Sequence, residues 1–270
     1  MKQFFYSVIS ISLLFLYASC QKELSDTAQQ HEKTCKLISA TYYLASGPVY
    51  DSSAFSYNGD KVMKAESDIK SVSYQYSGTN IYSRSYFDKI AKSIAFTDTA
   101  EYDASNKLKK LTQWLFPGPF AGETTKIIYL FAYNGNAIDK ITTINQSSSN
   151  SSTRDTLYNL FKTDAAGNTE NIVTVDRTGN VYDSVHFAYD RNPNYFKKIH
   201  PNYFLFDVNF PLQGSYLHHL PYFFSTNNVT EFSYYANSTY QVSYQLDSLK
   251  NMTQVNVNGS PYATYQYECR

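Results

Sequence analysis

The feature that most constrains the fold of this chain is a strand pattern centred on tyrosine. In residues 240–246 large apolar side chains alternate with polar ones, and residues 72–76 and 263–269 repeat the alternation. Successive side chains of an extended strand point to opposite faces, so one face of each strand is apolar and the other is polar. Each segment therefore predicts a half-buried β-strand.

Turn signals separate these strands. The clearest are the pairs Asn58-Gly59, Asn134-Gly135 and Asn258-Gly259, which tolerate the positive φ angles of a type I′ hairpin. The composition agrees, since the 270 residues include 27 Tyr and 18 Phe, and aromatic residues favour strands. Strand and turn recur at uneven spacing, with weaker copies at Tyr102-Asp103, at Phe161 with Asp164, and at Tyr244 with Asp247. The predicted fold class is all-β: an antiparallel meander of successive hairpins that forms one large, twisted, curled sheet or an incomplete barrel.

The N-terminus has the pattern of a bacterial lipoprotein leader. Residues 1–19 carry a positive charge, then an apolar stretch too short to span a bilayer, and then the small residues Ala18 and Ser19. The following Cys20 is the predicted site of lipidation and of anchoring to the membrane, and a plain secreted protein is the alternative. Residues 20–34 are polar and predict a lipidated, flexible tether.

A single domain is predicted for residues 35–270. The chain has 23 basic and 23 acidic residues, and it has no basic run, which argues against nucleic acid as a partner. The two remaining cysteines, Cys35 and Cys269, lie near the two ends of this domain. In an exported protein they predict one disulfide, with two free thiols as the alternative.

Several segments taken together resemble a known group of proteins. They are Cys20 with the following Gln-Lys-Glu, Cys35 with Lys-Leu-Ile-Ser, the Tyr-Asn/Asp hairpins, Asn192-Pro193, residues 227–230 and residues 265–269. The chain resembles the tyrosine-rich lipoproteins of Bacteroidota, a domain-of-unknown-function family related in pattern to YD repeats. The resemblance implies no activity and brings no catalytic residues.

A short modification motif fits such a source. Asp followed by Ser or Thr and then by Ala or an aliphatic residue resembles the O-glycosylation acceptor of these bacteria. The candidate acceptors are Thr27, Thr99, Thr156, Ser184 and Ser248.

The common catalytic and metal-binding motifs are absent from the sequence. His31-Glu32 begins like a zinc helix, but it lies in the predicted tether. His218 and His219 are adjacent, so on a strand they would point to opposite faces. No catalytic residue, metal ligand or cofactor is therefore assigned.

Two aromatic segments interrupt the hairpin rhythm and supply the candidate ligand-binding residues. The first, residues 114–120, contains the only Trp and two prolines, and is interpreted as an aromatic lip or as a plug over the core. The second, at about residues 193–224, is an aromatic, Pro-rich insertion that either closes the core or forms a pocket wall. The candidate residues are Trp114, Phe116, Phe120, Tyr203, Phe206 and Tyr216.

The functional prediction is a non-enzymatic envelope lipoprotein, monomeric and held in the outer membrane by its lipid. Its partner is predicted to be a glycan, a small apolar ligand or an envelope protein. The first alternative is a structural or assembly subunit of an outer-membrane complex, and a hydrolase of extracellular polymer is the next. The sequence leaves open whether the protein faces the cell surface or the periplasm.

Overall fold

We analysed a computed structural model of the chain, which describes residues 35–44, 47–116, 123–147, 154–199, 220–234 and 238–270. The chain divides into two compact units. The larger unit is Lys36–Glu268, and the smaller one consists of the residues up to Cys35 together with Cys269–Arg270. The predicted tether, residues 20–34, and the predicted leader lie outside the described residues.

The described chain is almost entirely β-structure. Its strands are β1 (Cys35–Tyr43), β2 (Val49–Asn58), β3 (Lys61–Glu66), β4 (Lys70–Ser77), β5 (Asn80–Asp88), β6 (Ser93–Tyr102), β7 (Leu108–Leu115), β8 (Thr125–Asn134), β9 (Ala137–Ser147), β10 (Arg154–Thr163), β11 (Thr169–Val175), β12 (Val181–Pro193), β13 (Asn227–Tyr234), β14 (Ser238–Leu246), β15 (Met252–Val257) and β16 (Ser260–Cys269). Two short helices, α1 (Phe196–Ile199) and α2 (Leu220–Phe224), lie between β12 and β13.

These strands form a closed barrel in which each strand pairs with its neighbours in sequence and β1 lies next to β16. The predicted antiparallel meander of hairpins is confirmed. The prediction of a curled sheet or incomplete barrel is wrong, because β1 and β16 complete the ring. Closure removes the two unpaired edges that an open sheet would expose.

The alternation seen in the sequence separates an apolar interior from a polar outer wall. In β4, Val72 and Tyr74 are buried, whereas Ser73 and Gln75 between and beside them are exposed. The buried apolar side chains of all the strands belong to one cluster. The hydrophobic core therefore lies inside the barrel, and the strands present mainly polar side chains outward.

The hairpins that contain Asn-Gly lie where the sequence predicts them, but their turn types differ. At β15–β16 both Asn258 and Gly259 have positive φ, as a type I′ turn requires. At β2–β3 and β8–β9 the Asn residue is still in the ladder, and a positive-φ Gly takes the first loop position. That arrangement is typical of a type II′ turn.

The predicted insertion separates β12 from β13. Of the insertion, the structure describes residues 194–199 and 220–224, where Phe196, Leu220 and Tyr222 are buried in the core cluster. The rings of Phe196 and Tyr222 meet edge to face at 5.8 Å. No helix in the described parts of the chain is both long enough and apolar enough to cross a bilayer.

The predicted disulfide is confirmed. Cys35, the first residue of β1, is bonded to Cys269, the last residue of β16, across a sequence separation of 234. The bond therefore joins the first and last strands of the meander.

Candidate docking rim

The two ends of the barrel differ in structure. Even-numbered strands end, and odd-numbered strands begin, at one end, because neighbouring strands run antiparallel. We name that end the turn rim. The opposite end, where odd-numbered strands end and even-numbered strands begin, is named the apolar rim after the side chains described below.

Tyrosine hydroxyls fasten the hairpins together at the turn rim. A tyrosine near the end of an even-numbered strand donates a hydrogen bond to a backbone carbonyl near the start of the preceding odd-numbered strand. The donor and acceptor residues are Tyr57 to Leu37 (2.7 Å), Tyr102 to Ile81 (2.8 Å), Tyr133 to Leu108 (2.9 Å), Tyr189 to Thr169 (2.6 Å), Tyr244 to Val229 (2.6 Å) and Tyr267 to Met252 (2.9 Å).

These phenols are structural donors. Burial disfavours the phenolate and raises the pKa of Tyr102 and of Tyr133 to about 12. Both hydroxyls therefore keep their protons at neutral pH. The repeated tyrosine of the sequence is explained by this fastening, since it places an aromatic ring in the core and its hydroxyl on a carbonyl.

The barrel interior also contains paired charges. Lys70 Nζ lies 2.9 Å from Asp51 Oδ2, and both side chains are almost completely buried. Arg84 Nε donates to Asp98 Oδ2 at 2.8 Å, and its Nη2 contacts the same oxygen. Each of these two carboxylates therefore has a cationic partner across the sheet.

The pKa of Asp51 reflects this pairing. Burial alone would raise it, but hydrogen bonds from Lys70 and Ser67 and the charge of Lys70 together hold it below the usual value. Asp51 is therefore ionised at neutral pH, and it serves as the counter-ion of a buried lysine.

In the described ranges, His, Cys, Asp and Glu side chains form no group of three that could hold a metal ion. His31, His218 and His219 lie outside those ranges.

Exposed apolar side chains concentrate at the apolar rim. Most of the large apolar side chains that are exposed in the described part of the chain lie there. They are Leu44, Val49, Tyr50, Phe87, Ile90, Ile94, Trp114, Phe116, Val181 and Tyr182. The turn rim has Leu249 in its turns, and the others are spread over the outer wall.

The largest concentration, the β5–β7 group, consists of Phe87, Ile90, Ile94, Trp114 and Phe116. Phe87 pairs with Ile94 across the β5–β6 hairpin, and Ile90 in its turn is 76% exposed. The Phe116 amide donates to the Ala95 carbonyl at 2.9 Å, which continues the β6–β7 pairing and brings Phe116 beside Ile94. These side chains therefore form one apolar patch.

Lysines accompany this patch. Lys126 pairs with Trp114 across β7 and β8, and its Nζ lies 4.9 Å from the centroid of the Trp114 ring. Lys89 and Lys92 lie in the β5–β6 turn, where Lys89 contacts Glu66 at 3.0 Å. The patch is thus apolar at its centre, and its margin carries charges of both signs, with Asp88 next to Lys89.

Two smaller groups lie on the described part of the apolar rim. The β1–β2 group consists of Leu44, Val49 and Tyr50, and the Leu44 amide bonds the Pro48 carbonyl across the turn. The β12 group consists of Val181 and Tyr182 and follows directly on a tight turn that Asp176 closes. Val49 and Tyr50 begin β2, and Val181 and Tyr182 begin β12.

The structure describes two of the six candidate ligand-binding residues. Trp114 and Phe116 lie together on the apolar rim, each 38% exposed. Phe120, Tyr203, Phe206 and Tyr216 lie outside the described residues. The insertion leaves and re-enters the barrel at the turn rim, between β12 and β13, whereas Trp114 lies at the other end. The two predicted aromatic regions are therefore attached to opposite rims.

The candidate glycosylation residues differ in accessibility. Thr99 and Ser248 are exposed, whereas Thr156 and Ser184 are half-buried. Thr156 accepts a hydrogen bond from Arg177 Nη2 at 2.8 Å. Thr27 lies outside the described residues.

Sequence reasoning missed most of the rim. The sequence does not single out Tyr50, Ile90, Ile94 or Tyr182, because each follows or interrupts an alternating segment and carries no motif of its own. The signal that could have found them is their position next to predicted turns, where polar residues are the norm.

No protein-family model matches the chain, and no curated protein is detectably similar to it. Among solved structures, a porin-like protein from Bacteroides vulgatus aligns with a TM-score of 0.55 at 14% identity, covering 86% of this chain and 98% of that one. A porin-like protein from Bacteroides uniformis aligns with a TM-score of 0.47 at 13% identity, covering 87% and 96%. At this identity, the first likeness establishes the barrel fold and nothing more.

Proposed function

We propose that the chain is a non-enzymatic lipoprotein of the cell envelope whose barrel holds the apolar rim against another component of the envelope. The observation that carries this proposal is the concentration of exposed apolar side chains at one rim. Exposed apolar patches of this kind on a folded domain mark interaction sites. Covering them gains about 25 cal/mol per Å² of apolar surface.

The barrel is suited to be a scaffold for such a rim. Its described interior contains a single apolar cluster, and tyrosines packed against that cluster bond the backbone. A closed ring of strands fixes the positions of its turns relative to one another. The rim side chains are therefore held in a constant arrangement, which lowers the entropic cost of docking.

The envelope address is supported by the leader-like residues 1–19, by Cys20 and by the resemblance to tyrosine-rich Bacteroidota lipoproteins. The polar outer wall supports docking rather than insertion. Transmembrane barrels carry an outward apolar band about 25 Å tall, whereas on this wall the exposed apolar side chains are scattered among Ser, Thr, Gln and Lys side chains such as Ser73 and Gln75. The proposed site of contact is therefore the rim.

Lipidation and the envelope location are tested by metabolic labelling with a fatty acid in a bacterium that processes lipoproteins. The full chain should incorporate the label and float with membranes, and the Cys20→Ala variant should lose the label. An unlabelled wild-type chain in the culture medium would identify a secreted protein instead. Protease treatment of intact cells then reports which side of the outer membrane the barrel faces.

The docking role is tested with a photoreactive amino acid placed at Ile90 or Tyr182, or at the control positions Leu160 and Leu249. All four side chains are exposed, but only the first two belong to the apolar rim. Irradiation of cells should produce adducts from the rim positions alone. Equal yields from rim and control positions would contradict the proposal.

A structural or assembly subunit is the second candidate, and the single apolar cluster inside the described barrel favours it, because a barrel with an apolar core resembles a spacer more than a binding cup. Gentle detergent extraction distinguishes the two. A stoichiometric membrane partner that remains bound when Ile90 and Tyr182 are both replaced by Asp would favour assembly through another surface.

A further inference from the structure

We infer that the apolar rim seats the barrel on a phospholipid surface, with its three groups of side chains entering the headgroup region. This inference rests on the proposed docking function and names the partner of the same rim. It is argued from the arrangement of the groups, their composition and their charge.

The arrangement fits a flat partner. The β1–β2, β5–β7 and β12 groups are separated around the closed ring by β3–β4, by β8–β11 and by β13–β16. Three points distributed around a ring define a plane across the end of the barrel. A bilayer surface offers a plane that yields around separate protrusions, whereas a protein partner would need matched features at three distant points.

The composition fits the interface of a bilayer. Trp and Tyr prefer the boundary between headgroups and acyl chains, and the rim presents Trp114, Tyr50 and Tyr182. Ile90, the most exposed of the rim side chains, lies at the tip of the β5–β6 turn and would enter furthest. Burial of such side chains in the interface provides the binding free energy of membrane-surface proteins.

The charges are placed to assist. Lys92 in the β5–β6 turn and Lys126 beside Trp114 have long aliphatic stems, which can lie along the apolar patch while the ammonium groups reach lipid phosphates. Each basic residue near an anionic surface adds about 1 kcal/mol. The apolar centre of the β5–β7 group and these two ammonium groups therefore fit the headgroup region of a phospholipid surface.

A glycan fits this group less well. Stacking of a sugar on Trp114 would compete with the Lys126 ammonium for the ring. Sugar recognition also needs several polar groups that converge on the ring hydroxyls, whereas Phe87, Ile94 and Phe116 surround the site with apolar surface.

The single tryptophan provides the test, because Trp114 is the only Trp in the chain and lies on the rim. The protein purified from a bacterium that processes lipoproteins is reconstituted into vesicles of phosphatidylethanolamine and phosphatidylglycerol, with or without phosphatidylcholine whose acyl chains are brominated near the glycerol end. Bromine quenches tryptophan only on contact. We expect Trp114 emission to shift to shorter wavelength and to lose intensity in the brominated vesicles.

Two variants locate the contact. Ile90→Asp should restore most of the Trp114 intensity, whereas Leu249→Asp, at a 46% exposed position of the turn rim, should be quenched like the wild type. Both variants are checked for an unchanged thermal midpoint. Vesicle flotation separates the two proposals: a protein that fails to float has lost the proposed lipid anchor. A protein that floats without quenching of Trp114, or an Ile90→Asp variant quenched like the wild type, overturns the rim inference alone.

Discussion

At the scale of single residues, tyrosine hydroxyls determine how neighbouring hairpins are joined. Each donor at the turn rim bonds a backbone carbonyl near the start of a strand. The ring below each hydroxyl packs in the core. A tyrosine at these positions thus stabilises the barrel through both its ring and its hydroxyl, whereas a phenylalanine would supply only the ring.

Replacement of Tyr189 by Phe tests this role. The Tyr189 hydroxyl donates to the Thr169 carbonyl and accepts from Ser225 Oγ at 3.0 Å. Removing a buried partner costs about 1–3 kcal/mol, so Tyr189→Phe should unfold at a clearly lower urea concentration. Tyr182→Phe, at a 61% exposed position, is the control and should change stability by less than about 0.5 kcal/mol. Equal midpoints for the two variants would contradict the role.

A second residue-scale prediction concerns Asp176 in the β11–β12 turn. A hydrogen bond from the Thr178 hydroxyl, followed by bonds from Asn180, lowers the pKa of Asp176 to about 2 from a usual value of 3.8. Because the folded-state pKa is depressed, the turn is fully stabilised above pH 3.8 and loses that support as the pH falls toward 2. Carboxyl chemical shifts should titrate with this midpoint. Thr178→Val should move the midpoint upward, and an unchanged midpoint would rule out the hydroxyl as the cause.

At the scale of elements, one turn design is used several times. Asp accepts hydrogen bonds from the backbone of the residue four positions on, and the residue before that one has positive φ, as at 164–168 and 176–180. The Asp residues in the weak sequence repeat are these turn acceptors. The repeat was therefore predictable from sequence, because turn chemistry is local.

Gly167 and Gly179 form a matched pair for testing these turns. Both have a φ of +89°, but a Cβ on Gly167 would lie 2.8 Å from Thr226 Oγ1, whereas a Cβ on Gly179 would meet nothing within 4 Å. Both Ala variants lose about 1–2 kcal/mol from the backbone alone, because a residue with a Cβ is strained at positive φ. Gly167→Ala should lose roughly 1–3 kcal/mol more because the site is overpacked.

The extra loss is assigned to Thr226 by a double variant. Gly167→Ala with Thr226→Ala should unfold close to Gly179→Ala in urea, since the clash is gone. If Gly167→Ala and Gly179→Ala are equally stable, the β10–β11 turn does not pack on the segment that precedes β13.

Other elements were only partly predictable from sequence. The Asn-Gly pairs located three hairpins, yet only Asn258-Gly259 has the predicted type I′ geometry. Asn58 pairs with Lys61, so the two-residue loop begins at Gly59, one residue later than a type I′ turn at Asn58-Gly59 would place it. Such a shift of one residue depends on the register of whole strands. The sequence points to Trp114 because it is the only Trp, whereas Ile90 is recognised as part of a site only from its position in the three-dimensional ring of turns.

At the scale of the whole molecule, the sequence could not predict closure. Alternation and turns specify that neighbouring strands pair, but the pairing of β1 with β16 joins residues that are far apart in the chain. Ser39 Oγ bonds Gln266 Oε1 at 3.1 Å, and the Tyr43 hydroxyl lies 3.3 Å from Thr264 Oγ1. Nothing local signals these contacts. Of the sequence features, only the pair of cysteines predicted a contact between the two ends of the domain.

The disulfide between those cysteines should therefore make the largest single contribution to offsetting the entropic cost of closing the barrel. A cross-link across a sequence separation of 234 removes loop-closure entropy from the unfolded chain, by the chain-entropy model about 5 kcal/mol. Replacing Cys35 and Cys269 together by Ser should lower the urea midpoint by a corresponding amount, and reduction of the wild type should do the same. Adding reductant to the double variant is the control and should change nothing. If reduced and oxidised wild type share one midpoint, the β1–β16 pairing closes the ring without help, and the longest-range contact of the meander is already ordered in the unfolded ensemble.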